Sequence, residues 1–165
     1  MNSNKLESIL VCDNDIVGLF KIALKLVESG KYVWFISPEP ITSLPKNVTP
    51  STKEVLKFLT LLYFKDTREL LKHFNSIQTW FRIPELIIII DFHHYLDCEN
   101  NDYNPTESAF LCASFLDAGN ACIKKLNKSV YLIASLDLDK CKNKNVQILL
   151  DLYFNKISNT SEINI

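Results

Sequence analysis

The chain has 165 residues and a formal net charge of −1, with 47% hydrophobic and 22% charged residues. This excludes a disordered tail and a protein that grips nucleic acid by bulk basicity. Any contact with nucleic acid has to come from a local patch or a partner. No run is long and apolar enough to span a bilayer, and Met1 to Ser8 lacks a secretory apolar core. The five cysteines, Cys12, Cys98, Cys112, Cys122 and Cys141, show no C-x-x-C spacing and are read as free thiols of a reducing compartment. The sequons at Asn47 and Asn127 are accordingly read as unmodified.

In chain order, Ser8 to Cys12 is a short apolar run expected as a buried strand. Asp13-Asn14-Asp15 makes a tight polar turn, with Asp15 placed to cap a helix. Ile16, Leu19, Phe20, Ala23, Leu24 and Val27 recur at helical spacing, and Gly30 ends that helix at C′. Tyr32 to Ser37 is a second strand. Pro38 to Pro50 holds four prolines and reads as a connection. The second half of Val55 to Phe64 is a strand. Asp66-Thr-Arg-Glu69 opens a helix to about Trp80, and Pro84 breaks the chain.

Leu86 to Ile90 is a continuous aliphatic run ending in Asp91, the pattern of a parallel strand buried on both faces. Asn104-Pro105-Thr106-Glu107 starts a helix reaching about Leu126. Val130 to Ala134 is a further strand and Val146 to Phe154 a helix. Strands alternating with helices predict a doubly wound, mainly parallel α/β sheet with helices on both faces. The expected organisation is one domain over 1–165, with its core at about 8–155 and a polar tail at 156–165.

The first strand-to-helix corner is where a phosphate-binding loop, G-x-x-x-x-G-K-[ST], would sit. Such a loop needs clustered glycines, because its backbone must approach the phosphate closely. The chain has only Gly18, Gly30 and Gly119. Cys12-Asp-Asn-Asp-Ile-Val-Gly18-Leu19 supplies neither the lysine nor the hydroxyl, and Asp13 and Asp15 place negative charge where a triphosphate would lie. Gly18 is read as a packing position. Leu86 to Asp91 has the form of a Walker B strand, with Asp91 in the place of the magnesium carboxylate. Without a phosphate, Asp91 reads as a cap or loop partner. His93, His94 and Cys98 suggest zinc only superficially, since adjacent histidines on a loop diverge and no second ligand cysteine is spaced for it. Phe20-x-x-Ala23 and Phe110-x-x-Ala113 lie in helical segments and read as core. No metal and no cofactor is expected.

In order, these residues resemble the RecA-like subunit of the metazoan Shu complex. The resemblance lies in Val33-Trp-Phe-Ile36 followed by Pro40 and Leu44-Pro45, then Tyr63-Phe64 and Thr67-Arg-Glu-Leu70. It continues with Leu86 to Asp91, Tyr95-Leu96, Glu107, Ala109 and Leu116-Asp117, and covers about residues 8–135. It implies a RecA-like P-loop-type fold, here read as shortened at the C-terminus. It also implies a nuclear, non-recombinase paralogue that pairs with a SWIM-type zinc-finger protein and contacts single-stranded DNA. Such a subunit supports recombinase filaments in double-strand break repair.

Only Asp91 matches a nucleotide-site position of the family, so ATP hydrolysis is not carried over. The chain reads as a non-catalytic subunit. A cryptic ATPase and an unrelated α/β interaction module are the competing readings. Glu39, where related ATPases keep a water-activating glutamate, reads as an exposed loop acid. The DNA candidates are Lys124, Lys125 and Lys128 at the end of one helix and Lys140, Lys142 and Lys144 in the loop after the next strand. The loop from Asp97 to Asp102 is acidic and would repel phosphate.

Overall fold

The computed structural model describes residues 3–99, 103–141 and 143–165. Its centre is a parallel sheet of β1 (Leu6–Val11), β2 (Val33–Ser37), β3 (Leu59–Tyr63), β4 (Leu86–Ile89), β5 (Val130–Ser135) and β6 (Lys156–Ser158). They lie in the order β3-β2-β4-β5-β1-β6, every pair parallel. The helices are α1 (Ile16–Glu28), α2 (Thr67–Asn75), α3 (Phe92–Leu96), α4 (Pro105–Leu126) and α5 (Lys144–Tyr153).

Strand alternation sorts the core into two layers. Ile9, Val11, Phe35, Ile88 and Ile133 point to the face covered by α1, where Leu19, Phe20, Ala23 and Val27 meet them. Leu10, Trp34, Ile36, Ile87, Ile89, Leu132 and Ala134 point to the other face. There they meet Leu70 and Phe74 of α2, Phe92 of α3, Leu111 and Phe115 of α4, and Leu150 of α5. Strands apolar on both faces read as unbroken hydrophobic runs, which is why β2 and β4 were visible in the sequence. The fold is the expected α/β architecture, a doubly wound parallel sheet with helices on both faces.

Local chemistry sets the helix ends. Asp15 caps α1 by accepting from the Gly18 amide at 2.9 Å, and Gly30 at φ 79° follows its end. Asp66 accepts from the Glu69 amide, and the Glu69 carboxylate takes the Lys65 amide in return. Asn104 accepts from the amides of Thr106 and Glu107, with Pro105 at the first helical position. α4 packs closely on the sheet through Gly119, where a Cβ would come within 2.6 Å of Leu6 and 2.9 Å of Leu132.

Three expectations need correction. The helix expected from Asp66 to Trp80 ends at Asn75 and is followed by a separate turn at Ile77–Thr79. His93 and His94 lie on a short helix, α3, rather than a loop. Residues 156–165 are not simply a polar tail. They supply β6, which pairs with β1, and then a tight turn at Thr160–Glu162 that buries Ile163 in the α1-side core. No helix of the described residues is long and apolar enough to cross a membrane.

Candidate functional site

The corner between β1 and α1 follows from the register of β6. Val11 stands level with Ser158, so two residues further on Asp13 meets Thr160. The Asp13 carboxylate accepts one hydrogen bond from the Thr160 amide at 2.8 Å and a second, short one from the Thr160 hydroxyl. Ser135, at the end of β5, donates to the Asp13 carbonyl at 3.3 Å. The turn is held internally as well: the Glu162 carboxylate accepts from the Asn159 amide and the Ser158 hydroxyl.

Gly18 is part of this closure. A Cβ there would lie 2.6 Å from Thr160 Cγ2 and 2.3 Å from Asp15 Oδ2. Its lack of a side chain lets the 158–163 turn rest on the first turn of α1, in line with the packing role expected for it. Asp15 thus takes the Gly18 amide, and Thr160 sits on the Asp13 carboxylate against the first turn of α1. What the corner presents instead is two carboxylates, with no lysine in the segment from Asp13 to Phe20.

Asp91 follows β4 in the left-handed region, φ 51°, a conformation costing a non-glycine residue about 1 kcal/mol. It stands at the N-cap position of α3, but its side chain makes no cap hydrogen bond. The capping role expected for it is therefore positional only. Its charge acts on its neighbours, opposing the effect of burial on His93 and adding to the upward shift of the Tyr95 phenol, for which burial is the larger cause.

The residues of the zinc suggestion go to different partners. His93 is buried, and its Nδ1 accepts from the Asp137 amide at 3.3 Å. Burial holds its imidazole below the usual histidine range, which keeps it neutral and able to accept. His94 Nε2 meets the Lys65 carbonyl at 2.9 Å, and Cys98 lies against Cys141. Among the described residues no group of three such side chains is gathered for a metal. Glu39 is exposed, as expected, with its backbone tied to the Ser37 hydroxyl.

The lysines do not form one patch. Lys124, Lys125 and Lys128 come just before β5, whereas Lys140 and Lys144 come just after it, so the groups sit at opposite ends of a six-residue strand, roughly 20 Å apart. Lys125 donates to the Ile77 carbonyl and Lys128 to the Glu85 carboxylate, while Lys140 and Lys144 are exposed. Lys142 and the centre of the acidic loop, residues 100–102, lie outside the described residues. A further correction concerns Phe110: Phe20 is core, but Phe110 is 57% exposed. It faces a groove of about 510 Å³ between α2 and α4 that Thr67, Leu71 and Thr106 also line. Periodicity alone placed both phenylalanines inside, because each falls in an amphipathic run.

No family model matches the chain, and no curated protein matches it. Among solved structures, a DnaB-like replicative helicase described with its primase interactions is similar at 8% identity and a TM-score of 0.42, over 86% of this chain and 41% of that one. The ATPase domain of G40P is similar at 9% identity and a TM-score of 0.41, over 88% of this chain and 60% of that one. The chain thus spans less than two thirds of the length of either.

Proposed function

We propose that this chain is a non-catalytic recombinase-paralogue subunit of a Shu-type complex that acts in double-strand break repair by binding. Its partners are a SWIM-type zinc-finger protein, single-stranded DNA and, through these, a recombinase filament; its place of work is the nucleus. One observation carries the non-catalytic half of the reading: the Asp13–Thr160 contact fills the corner that a triphosphate would need. A nucleotide there would have to expel the 158–163 turn and then lie against Asp13 and Asp15. The affiliation rests on the ordered residue blocks from Val33 to Asp117.

A binding role is supported by apolar side chains left outside the core. Ile148 and Leu152, one turn apart on α5, are 63% and 79% exposed, and Phe110 rims the α2–α4 groove. The DNA half rests on Lys140 and Lys144 at the end of the sheet where β5 leaves it.

The test is an affinity pull-down from irradiated dividing cells, read by mass spectrometry. Recovery of a SWIM-domain protein in stoichiometric amount is expected, and its consistent absence overturns the affiliation. The non-catalytic half is read separately by thermal melting with millimolar Mg-ATP. No shift is expected, whereas a rise of several degrees returns the chain to the nucleotide-binding proteins.

A further inference from the structure

Away from the β1–α1 corner, one pair of side chains is placed for covalent chemistry. Cys98 follows α3 and is fully buried, while Cys141, partly exposed, ends the turn after β5. The two are 43 positions apart in sequence, yet their sulfurs lie 2.7 Å apart, one thiol donating to the other. A second link joins the same two segments, since the Asp137 amide donates to His93 Nδ1. The sulfurs are therefore held together by more than their own contact. The three remaining thiols differ: Cys112 and Cys122 are buried, and burial pushes each up to about 12, while burial also raises the half-buried Cys12.

We propose that Cys98 and Cys141 are a reversible thiol–disulfide exchange site whose oxidant is a small-molecule disulfide of the glutathione type. Cys141, the partly exposed member of the pair, gives up its proton and attacks one sulfur of the oxidised glutathione. That disulfide breaks, and the first glutathione leaves as a thiolate and takes up a proton. Cys98 then loses its proton and attacks the Cys141 sulfur. The mixed disulfide breaks and the second glutathione leaves as a thiol. Two cysteine thiols are oxidised, and one glutathione disulfide is reduced to two glutathiones.

The contact couples the two thiols and moves them in opposite directions, Cys98 down and Cys141 up. The hydrogen bond from Cys141 holds Cys98 below the ordinary thiol range, so the pair releases its first proton more readily than a lone thiol. The same hydrogen bond, with burial, pushes the Cys141 thiol up, so the attacking Cys141 thiolate forms by passing the shared proton across the 2.7 Å contact to Cys98. The bond so formed ties the segment after α3 to the turn that carries Lys140 and leads into α5.

The purified chain is equilibrated in glutathione buffers of increasing oxidised fraction, quenched by alkylation and mapped by non-reducing mass spectrometry. A cross-linked peptide joining Cys98 to Cys141 is expected, lighter by two hydrogens and reversed by dithiothreitol. The thermal midpoint should rise by about 5–10 °C in the oxidised form. Cys141→Ser should abolish both effects, and the mapping of the unaltered chain needs no variant to fold. Two alkylated thiols in fully oxidised buffer, or a stable glutathione adduct on Cys141 alone, would overturn the proposal.

Discussion

Thr160 reaches back across 147 positions to place both its amide and its hydroxyl on the carboxylate of Asp13. The contact joins the last strand of the sheet to the corner after the first, and it makes the C-terminal turn a structural part of that corner. Asp13→Ala leaves both Thr160 donors without a partner in a half-buried site. Denaturant unfolding should show a loss of about 1–3 kcal/mol, with Thr160→Val losing less because the amide contact survives. A neutral result for Asp13→Ala would show that the turn is held by Ile163 and β6 alone.

Gly18→Ala tests the same closure from the helix side. In an exposed helix interior the change would stabilise by up to about 1 kcal/mol. Here the new Cβ meets Thr160 and the capping carboxylate of Asp15, so the sign should reverse. A melting temperature below that of the unaltered chain is expected; a gain would mean that the turn shifts at no cost.

His73 supplies a pH dependence. It packs among Trp34, Phe64 and Trp80, with ring centroids 4.6, 4.8 and 5.1 Å away, and its Nε2 is buried without a hydrogen-bond partner. Burial lowers its pKa to about 4, against about 6.5 in the unfolded chain. Between these values the unfolded state binds the proton and the folded state does not. Its contribution is therefore complete above about pH 6.5 and is lost as the pH falls toward 4. His73→Phe should flatten the denaturation midpoint over that window, and an unchanged slope would assign the acid sensitivity to other groups.

Charge neutralisation should separate the two lysine groups. Replacing Lys140, Lys142 and Lys144 by Gln should weaken single-stranded DNA binding and reduce its log–log salt slope by up to about 2. The same change at Lys124, Lys125 and Lys128 should leave the slope nearly intact, because Lys125 and Lys128 are engaged at the far end of β5. Equal effects from both sets would point to a binding path that crosses the sheet.

Phe110→Asp and Leu152→Asp alter side chains that solvent already reaches, so stability should change by less than about 0.5 kcal/mol. Loss of the copurifying partner by either variant would mark its face as the interface. If both variants retain the partner, the interface lies elsewhere on the molecule.

Much of the architecture was legible because it is written locally. β2, β4 and β5 are buried on both faces and so appear as unbroken apolar runs. α1 and α4 carry their own caps in Asp15 and in Asn104-Pro105, and the want of clustered glycines after β1 already spoke against a phosphate cradle. α3 escaped notice because five residues following a strand are too few to show a helical period. β6 did so because Lys156-Ile157-Ser158 is a three-residue edge strand with an exposed centre, too short for alternation to register.

What the sequence determined by itself is the alternation of its longer strands and helices and the lack of a G-x-x-x-x-G-K-[ST] motif after β1, since both depend on neighbouring residues. Tertiary structure alone decided that Thr160 closes the Asp13 corner, that Cys98 meets Cys141, and that Lys124, Lys125 and Lys128 lie at the opposite end of β5 from Lys140 and Lys144. The physical reason is the parallel sheet. Its strands are paired by crossovers, so residues far apart along the chain come level, while a six-residue strand carries near neighbours in sequence roughly 20 Å apart.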